Sequence, residues 1–231
     1  MTDGRGGEEM NRVLFEELLR ELAGLRPYFV SERDLQVSLA MLILKRFPEL
    51  RVLPEYCPAG DPSMHIDLML FTPEGGQIPV ELKYRTRRCT LPAPEGAYTL
   101  KEQSARDLGC YLYMKDLERL EHLAACAGDR FLQGFALMIT NDRGYRELPK
   151  TSGPCSYRQF SMKQDSVRTG TMRWGETAGP GTRKGNEKEI RLKGVYPMTW
   201  QDYSTVLDCQ GEQIRFRYQL QTVEGRTDRR D

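Results

Sequence analysis

The stretch His65-Ile-Asp-Leu-Met-Leu-Phe71, then Thr-Pro-Glu-Gly-Gly at 72–76, then Gln77-Ile-Pro-Val-Glu-Leu-Lys-Tyr-Arg-Thr-Arg-Arg88, decides how this chain is read. Two apolar runs of strand length flank a Pro/Gly-rich connection, the signal of a β-hairpin with a loop longer than two residues. Side chains alternate faces along a strand, so Ile66, Leu68 and Leu70 share one face and His65, Asp67 and Met69 the other. On the second strand Val80, Leu82 and Tyr84 are expected in the core, with Glu81 and Lys83 together on the opposite side. Antiparallel pairing about 72–76 then sets Asp67 opposite or diagonal to the Glu81 and Lys83 region.

Two carboxylates on adjacent rigid strands suit Mg²⁺ or Mn²⁺, because these hard cations take oxygen ligands and keep several waters. A lysine two residues beyond the second acid can reach the same phosphate, to orient an attacking water or offset developing charge. The competing reading makes Asp67, Glu81 and Lys83 the solvated face of a hairpin, paired with their neighbours.

These residues resemble the PD-(D/E)xK nuclease superfamily of restriction and repair endonucleases. Asp67 matches its first acid and Glu81-Leu82-Lys83 its E-x-K element, while Ile66 stands where the family has a proline. The resemblance implies an α/β fold of restriction-endonuclease type, a mixed sheet flanked by helices. It implies a metal-dependent nuclease, expected as an endonuclease, in which Asp67, Glu81 and the backbone carbonyl of Leu82 hold Mg²⁺ or Mn²⁺ and Lys83 assists the water. An N-terminal helix of such nucleases adds a carboxylate to the metal site, and Glu32 is the matching residue. Without the resemblance, Glu32 is a first-turn acid complementing the helix dipole. RecB-like members carry Gln-x-x-x-Tyr on the helix after the E-x-K strand. Gln103, Asp107 and Tyr111 are similar in place, with Asp107 where that tyrosine would be and Tyr111 one turn late. Gly109 to Glu121 is also similar to uncharacterised bacterial members of this type.

Basic and acidic residues balance, 34 against 33, so nucleic-acid binding must rest on a local patch. The best patch is Arg85, Arg87 and Arg88, leaving the second strand beside the acids, with Lys101 and Arg106 after it. No long apolar run and no signal-peptide pattern appears, so no membrane association and a cytoplasmic location are expected. Six cysteines, at 57, 89, 110, 126, 155 and 209, form no C-x-x-C pair. Reduced thiols, no iron–sulfur cluster and no structural zinc are therefore expected.

Residues 1–9 read as a flexible terminus and 10–231 as a single domain. Its core is about 28–140, with a C-terminal extension 141–231 that includes a flexible excursion at about 161–189. A helix is expected over Met10–Leu25, with Val13, Leu14, Leu18, Leu22 and Leu25 as its apolar stripe, and another from a Ser31 cap to Arg46. Arg51–Tyr56 reads as a strand, and Asp61 as a turn cap or a further approach to the metal. A helix over about Leu100–Ala125 would carry Gln103, Asp107 and Tyr111 as one polar stripe, with Lys115, Asp116, Arg119 and Glu121 on a salt-bridged exposed face. Phe131–Thr140 suits a central buried strand, joined to the E-x-K strand by a β-α-β crossover. Near the C-terminus two strands are expected around a segment whose Trp200 and Tyr203 either pack in the core or stack on a base.

The leading expectation is a Mg²⁺-dependent phosphodiesterase acting on nucleic acid, DNA in preference to RNA, with Asp67, Glu81, Lys83 and Glu32 as its centre. Duplex cleavage would require a homodimer or two successive cuts. The alternative is a catalytically inactive nucleic-acid-binding or scaffolding protein on the same fold. A P-loop or dinucleotide enzyme lacks its fingerprint.

Overall fold

A computed structural model of the chain describes residues 10–59, 64–147 and 155–225. The readings of 1–9 and of Asp61 fall outside these residues. Asn11 caps α1 (Arg12–Leu25) by accepting the Leu14 amide, and Ser31 caps α2 (Glu32–Arg46) by accepting the Asp34 amide. Such caps satisfy amides that the first turn cannot pair internally. The buried face of α1 is Leu14, Phe15, Leu18, Leu19 and Leu22, rotated from the expected stripe so that Val13 and Leu25 are exposed.

Ten strands follow in the described residues, with two further helices between them. They are β1 (Arg51–Tyr56), β2 (Ile66–Phe71), β3 (Gln77–Arg85), β4 (Cys89–Ala93), β5 (Gly96–Leu100), α3 (Arg106–Ala127), β6 (Gln133–Thr140), β7 (Val167–Met172), α4 (Pro180–Arg183), β8 (Ile190–Pro197), β9 (Trp200–Leu207) and β10 (Gln213–Glu224). Six of the strands form one mixed sheet in the order β1-β2-β3-β6-β10-β9. β3 and β6 are parallel, which requires a crossover, and α3 lies within that connection. All eight residues of β6 are buried, as a central strand covered on both faces must be. The protein is thus mixed α/β, a mixed sheet flanked by helices.

Two cores result, one on each face of the sheet. α1 and α2 cover the first with Leu68, Leu70, Val80, Leu82 and Tyr84. α3 covers the second with Met69, Ala136 and Met138. Ile66 joins this second cluster, not Leu68 and Leu70 as simple alternation predicts. Beside it the β1–β2 ladder skips Glu55, whose φ is 51°.

The C-terminal part is more than an extension of a core ending near 140. Arg217–Glu224 of β10 pairs with the whole of β6, and β9 pairs with β10, so the last two strands complete the sheet. The excursion expected at 161–189 contains β7, which pairs with β8. Trp200 lies within a strand and donates from Nε1 to the Met162 carbonyl (2.7 Å), and Tyr203 donates to the Arg26 carbonyl (2.9 Å). Both are buried, and core packing accounts for them.

α3 begins at Arg106 instead of near Leu100, because 89–100 forms the β4–β5 hairpin turned through Gly96 at φ 135°. Its length is sandwiched, with the sheet on one side and β8 on the other. Glu121 is buried and accepts the Lys193 and Gly194 amides and the Tyr196 hydroxyl, while Glu118 accepts the Arg191 amide. The expectation of an exposed, salt-bridged face on this helix is therefore corrected. Asp116 and Glu121 there are buried, and Glu121 with Glu118 holds the folded-back β8.

Candidate active site

The ladder between β2 and β3 runs from Phe71 opposite Gln77 to Leu68 opposite Val80 and stops there. One further step in the same register would set Asp67 across from Glu81. Where the strands part, β3 loses a neighbour and its amides need other acceptors. Asp67 Oδ2 accepts the Leu82 amide at 2.6 Å, and Glu32 Oε2 accepts the Tyr84 amide at 2.8 Å. Leu82 and Tyr84 are two residues apart, so both amides leave β3 on the same side. Glu32 reaches this point because Ser31 starts α2 immediately before it. One turn on, Gln36 is buried and donates to the Asp67 carbonyl (2.6 Å) and to Glu55 Oε1 (2.9 Å), tying α2 to β1 and β2.

Glu81 and Lys83 point the other way from Leu82, under α3. Glu81 is 1% exposed and Lys83 9%. Arg119 Nη1 lies 2.7 Å from Glu81 Oε1 and 3.1 Å from the His65 carbonyl oxygen. Lys83 Nζ forms an ion pair with Asp116 Oδ2 at 2.7 Å and donates to the Leu82 carbonyl at 3.1 Å. Asp116 Oδ1 is 3.6 Å from Arg119 Nη1 on the same helix. Asp116 and Arg119 are thus members of the site that the sequence reading placed in solvent. Their i,i+3 spacing one helix after E-x-K was the available signal, but nothing local marks which face of α3 is covered.

The electrostatics follow from burial and crowding. Burial pushes the Asp67 carboxyl above its ordinary value, against the opposing pull of the Lys83 ammonium and the Leu82 amide. Burial pushes Glu81 well above the usual carboxylate range, Asp116 adds to this, and Arg119 pulls the other way. For Lys83 burial alone would favour the neutral amine. The carboxylates of Asp116, Asp67, Glu32 and Glu81 outweigh it and hold the ammonium above the ordinary lysine range. Lys83 is therefore a cation at neutral pH, suited to donating hydrogen bonds and charge and unsuited to accepting a proton.

The outlying candidates divide. Arg85 shares the face of Glu81 and Lys83 and lines a cavity of about 270 Å³ with Gln103, Ser104, Ala105, Leu108 and Gly109. Arg87 and Arg88 are exposed beyond the end of β3, and their amides donate to Asn141 Oδ1 and Glu102 Oε2. Arg106 instead pairs with Asp142. The stripe of Gln103, Asp107 and Tyr111 does not exist as expected. Gln103 precedes the helix and clasps Thr86, accepting that residue's amide at 2.8 Å. Asp107 accepts from Thr182 and the Leu108 amide. Tyr111 is buried, stacks on Trp174 with ring centroids 5.2 Å apart, and donates to the Lys188 carbonyl. These residues brace the loop and the second core, and only Gln103 lies near the E-x-K strand.

Among the described residues no group of three or more His, Cys, Asp or Glu side chains is gathered at metal-binding distance. Mg²⁺ does not need one, since one or two carboxylates with a carbonyl and waters suffice. Asp67 Oδ1 and Glu81 Oε2 accept no hydrogen bond among the described residues. They and the Leu82 carbonyl are hard oxygen donors beside surplus negative charge, the donor chemistry such an ion takes. No described helix is long and apolar enough to cross a membrane. Comparison with protein-family models, with curated proteins and with solved structures finds no match for this chain.

Proposed function

We propose that this protein is a metal-dependent nuclease of restriction-endonuclease-like fold that hydrolyses phosphodiester bonds in DNA. The observation that carries the reading is a buried charge imbalance. Among the described residues Glu32, Asp67, Glu81 and Asp116 interact within one cluster with Lys83 and Arg119, four carboxylates against two cations. Buried carboxylates that outnumber their cations either take up protons or attract another cation. A divalent ion of Mg²⁺ type matches both the surplus of two negative charges and the oxygen donors.

Asp67, Glu81 and the Leu82 carbonyl would hold this ion, and Glu32 lies on the α2 side of the same strand. When bound, the metal supplies Lewis-acid charge to the phosphoryl oxygens and lowers the pKa of a coordinated water. Lys83 keeps its proton and donates to the water or to a phosphate oxygen. Asp67, half-buried beside exposed His65, marks the side from which a phosphate reaches the cluster. Arg85, Arg87 and Arg88 carry positive charge onward along β3 toward the phosphates of the bound strand.

The second reading is an inactive nucleic-acid-binding protein on the same framework. It draws on the internal pairing of Glu81 with Arg119 and Lys83 with Asp116, which satisfies both groups without a ligand. The deciding experiment is nicking of supercoiled plasmid and cutting of labelled single strands, with Mg²⁺ or Mn²⁺ and with EDTA. Wild type is compared with Asp67→Asn and Lys83→Met. Metal-dependent cleavage lost in both variants supports the nuclease. Binding without turnover in every substrate supports the second reading.

A further inference from the structure

One nitrogen of Arg119 occupies a place built for a cation. Nη1 lies 2.7 Å from Glu81 Oε1, 3.1 Å from the His65 carbonyl oxygen and 3.6 Å from Asp116 Oδ1. These oxygens come from three elements: β3, the residue entering β2, and α3. They include a carboxylate that is almost wholly buried.

We propose that Arg119 is a resident counter-ion that competes with the divalent metal for the charge of Glu81, so that an ion on the open Glu81 Oε2 requires the guanidinium to leave Oε1 of the same carboxylate. The inference rests on the metal-site reading above and deepens it. A guanidinium and a dication on one carboxylate repel each other strongly where little water screens them. The guanidinium has somewhere to go, because Asp116 sits one helical turn away on the same α3 and already faces it. Release therefore needs a side-chain pivot and no movement of the helix. In the metal-free protein Arg119 keeps Glu81 from standing as an unpaired buried charge. In the metal-bound protein the ion takes over that task.

A resident counter-ion and a ligand-positioning residue make opposite predictions. If Arg119 holds Glu81 in a pose that ligates metal, removing it weakens the metal. If it competes, removing it strengthens the metal while weakening the metal-free protein.

The test is Mn²⁺ binding to the full chain by titration calorimetry, together with melting curves with and without Mn²⁺, for wild type, Arg119→Gln and Arg119→Lys. Competition predicts that Arg119→Gln melts below wild type without metal, yet binds Mn²⁺ at least about tenfold more tightly. Its melting temperature should also rise more on adding Mn²⁺. Arg119→Lys, which keeps the charge, should stay within about threefold of wild-type affinity. If Arg119→Gln is unfolded without metal, recovery of a cooperative melt in Mn²⁺ supports competition, and failure to recover overturns it. Wild-type binding with equal or weaker binding in folded Arg119→Gln overturns competition and leaves the metal site standing. Absence of Mn²⁺ binding in wild type and in both variants overturns the proposal together with the metal-site reading.

Discussion

Asp67 accepts the amide hydrogen of Leu82 across 2.6 Å, at the point where β2 stops pairing with β3. A carboxylate here does the work of a missing strand neighbour, and Glu32 repeats the device two residues along at Tyr84. The acids of this site are therefore structural whatever chemistry they perform. Any substitution must be read on both scales.

That duality gives the first prediction. Asp67→Ala leaves the Leu82 amide without its acceptor and should cost about 1–3 kcal/mol of unfolding free energy. Asp67→Asn keeps a side-chain oxygen for the amide and should lie close to wild type in urea denaturation. Both variants should lose metal-dependent cleavage, since neither retains the charge. If Asp67→Asn cuts as wild type does, Asp67 serves only the strand.

Glu81 supplies the second. Its carboxyl ordinarily titrates near 4.5 and is raised well above that in the fold, mainly by burial. Between those two values the native state keeps a proton that the unfolded chain has released, so stability falls as pH rises through the window. This sign is opposite to that of an ordinary salt-bridged acid. Metal-free wild type should be more stable at the acid end of the window, and Glu81→Gln should flatten the slope. Mn²⁺ binding, which needs the carboxylate, should strengthen with pH over the same interval. A flat wild-type profile from denaturant titrations at several pH values would contradict the assignment.

The pair of Lys83 and Asp116 makes a third case. Removing one member of a buried ion pair leaves the other uncompensated, a loss of about 3–5 kcal/mol. Lys83→Met and Asp116→Leu should each destabilise on this scale, and the double variant should be less damaged than the sum of the two. Cleavage should vanish in Lys83→Met and in the double variant. For Asp116→Leu, which retains the ammonium but unfixes it, kcat should fall while DNA affinity holds.

The hairpin and its charged residues were legible because short-range alternation and a Pro/Gly-rich loop determine them. The Ser31 cap, β1 and the buried β6 were legible for the same reason. Asp116, Arg119 and Glu121 were not, because their partners are distant in sequence: Lys83, Glu81 and the His65 carbonyl for the first two, and β8, some seventy residues on and folded back over α3, for Glu121. A helix covered on two sides carries a weak amphipathic signal, and its buried charges look like surface charges. A helix expected from about Leu100 takes in Gln103, whereas the β4–β5 hairpin runs to Leu100 and leaves Gln103 ahead of a helix that starts at Arg106.

Tyr111 turns that lesson into the last prediction. A substrate-binding role would make its hydroxyl matter to cleavage and its removal mild for folding. The structure instead surrounds it with Phe160 and Trp174, at ring-centroid distances of 5.1 and 5.2 Å, and gives its hydroxyl the Lys188 carbonyl. Tyr111→Phe gives up one hydrogen bond and should cost about 1 kcal/mol, with kcat and KM for DNA unchanged. Tyr111→Ala opens a cavity between α3 and the chain around β7 and should cost about 3–5 kcal/mol by urea denaturation. Cleavage per folded molecule should survive at temperatures where the variant remains native. A Tyr111→Phe protein of normal stability with a large loss of DNA cleavage would move this hydroxyl back to the substrate.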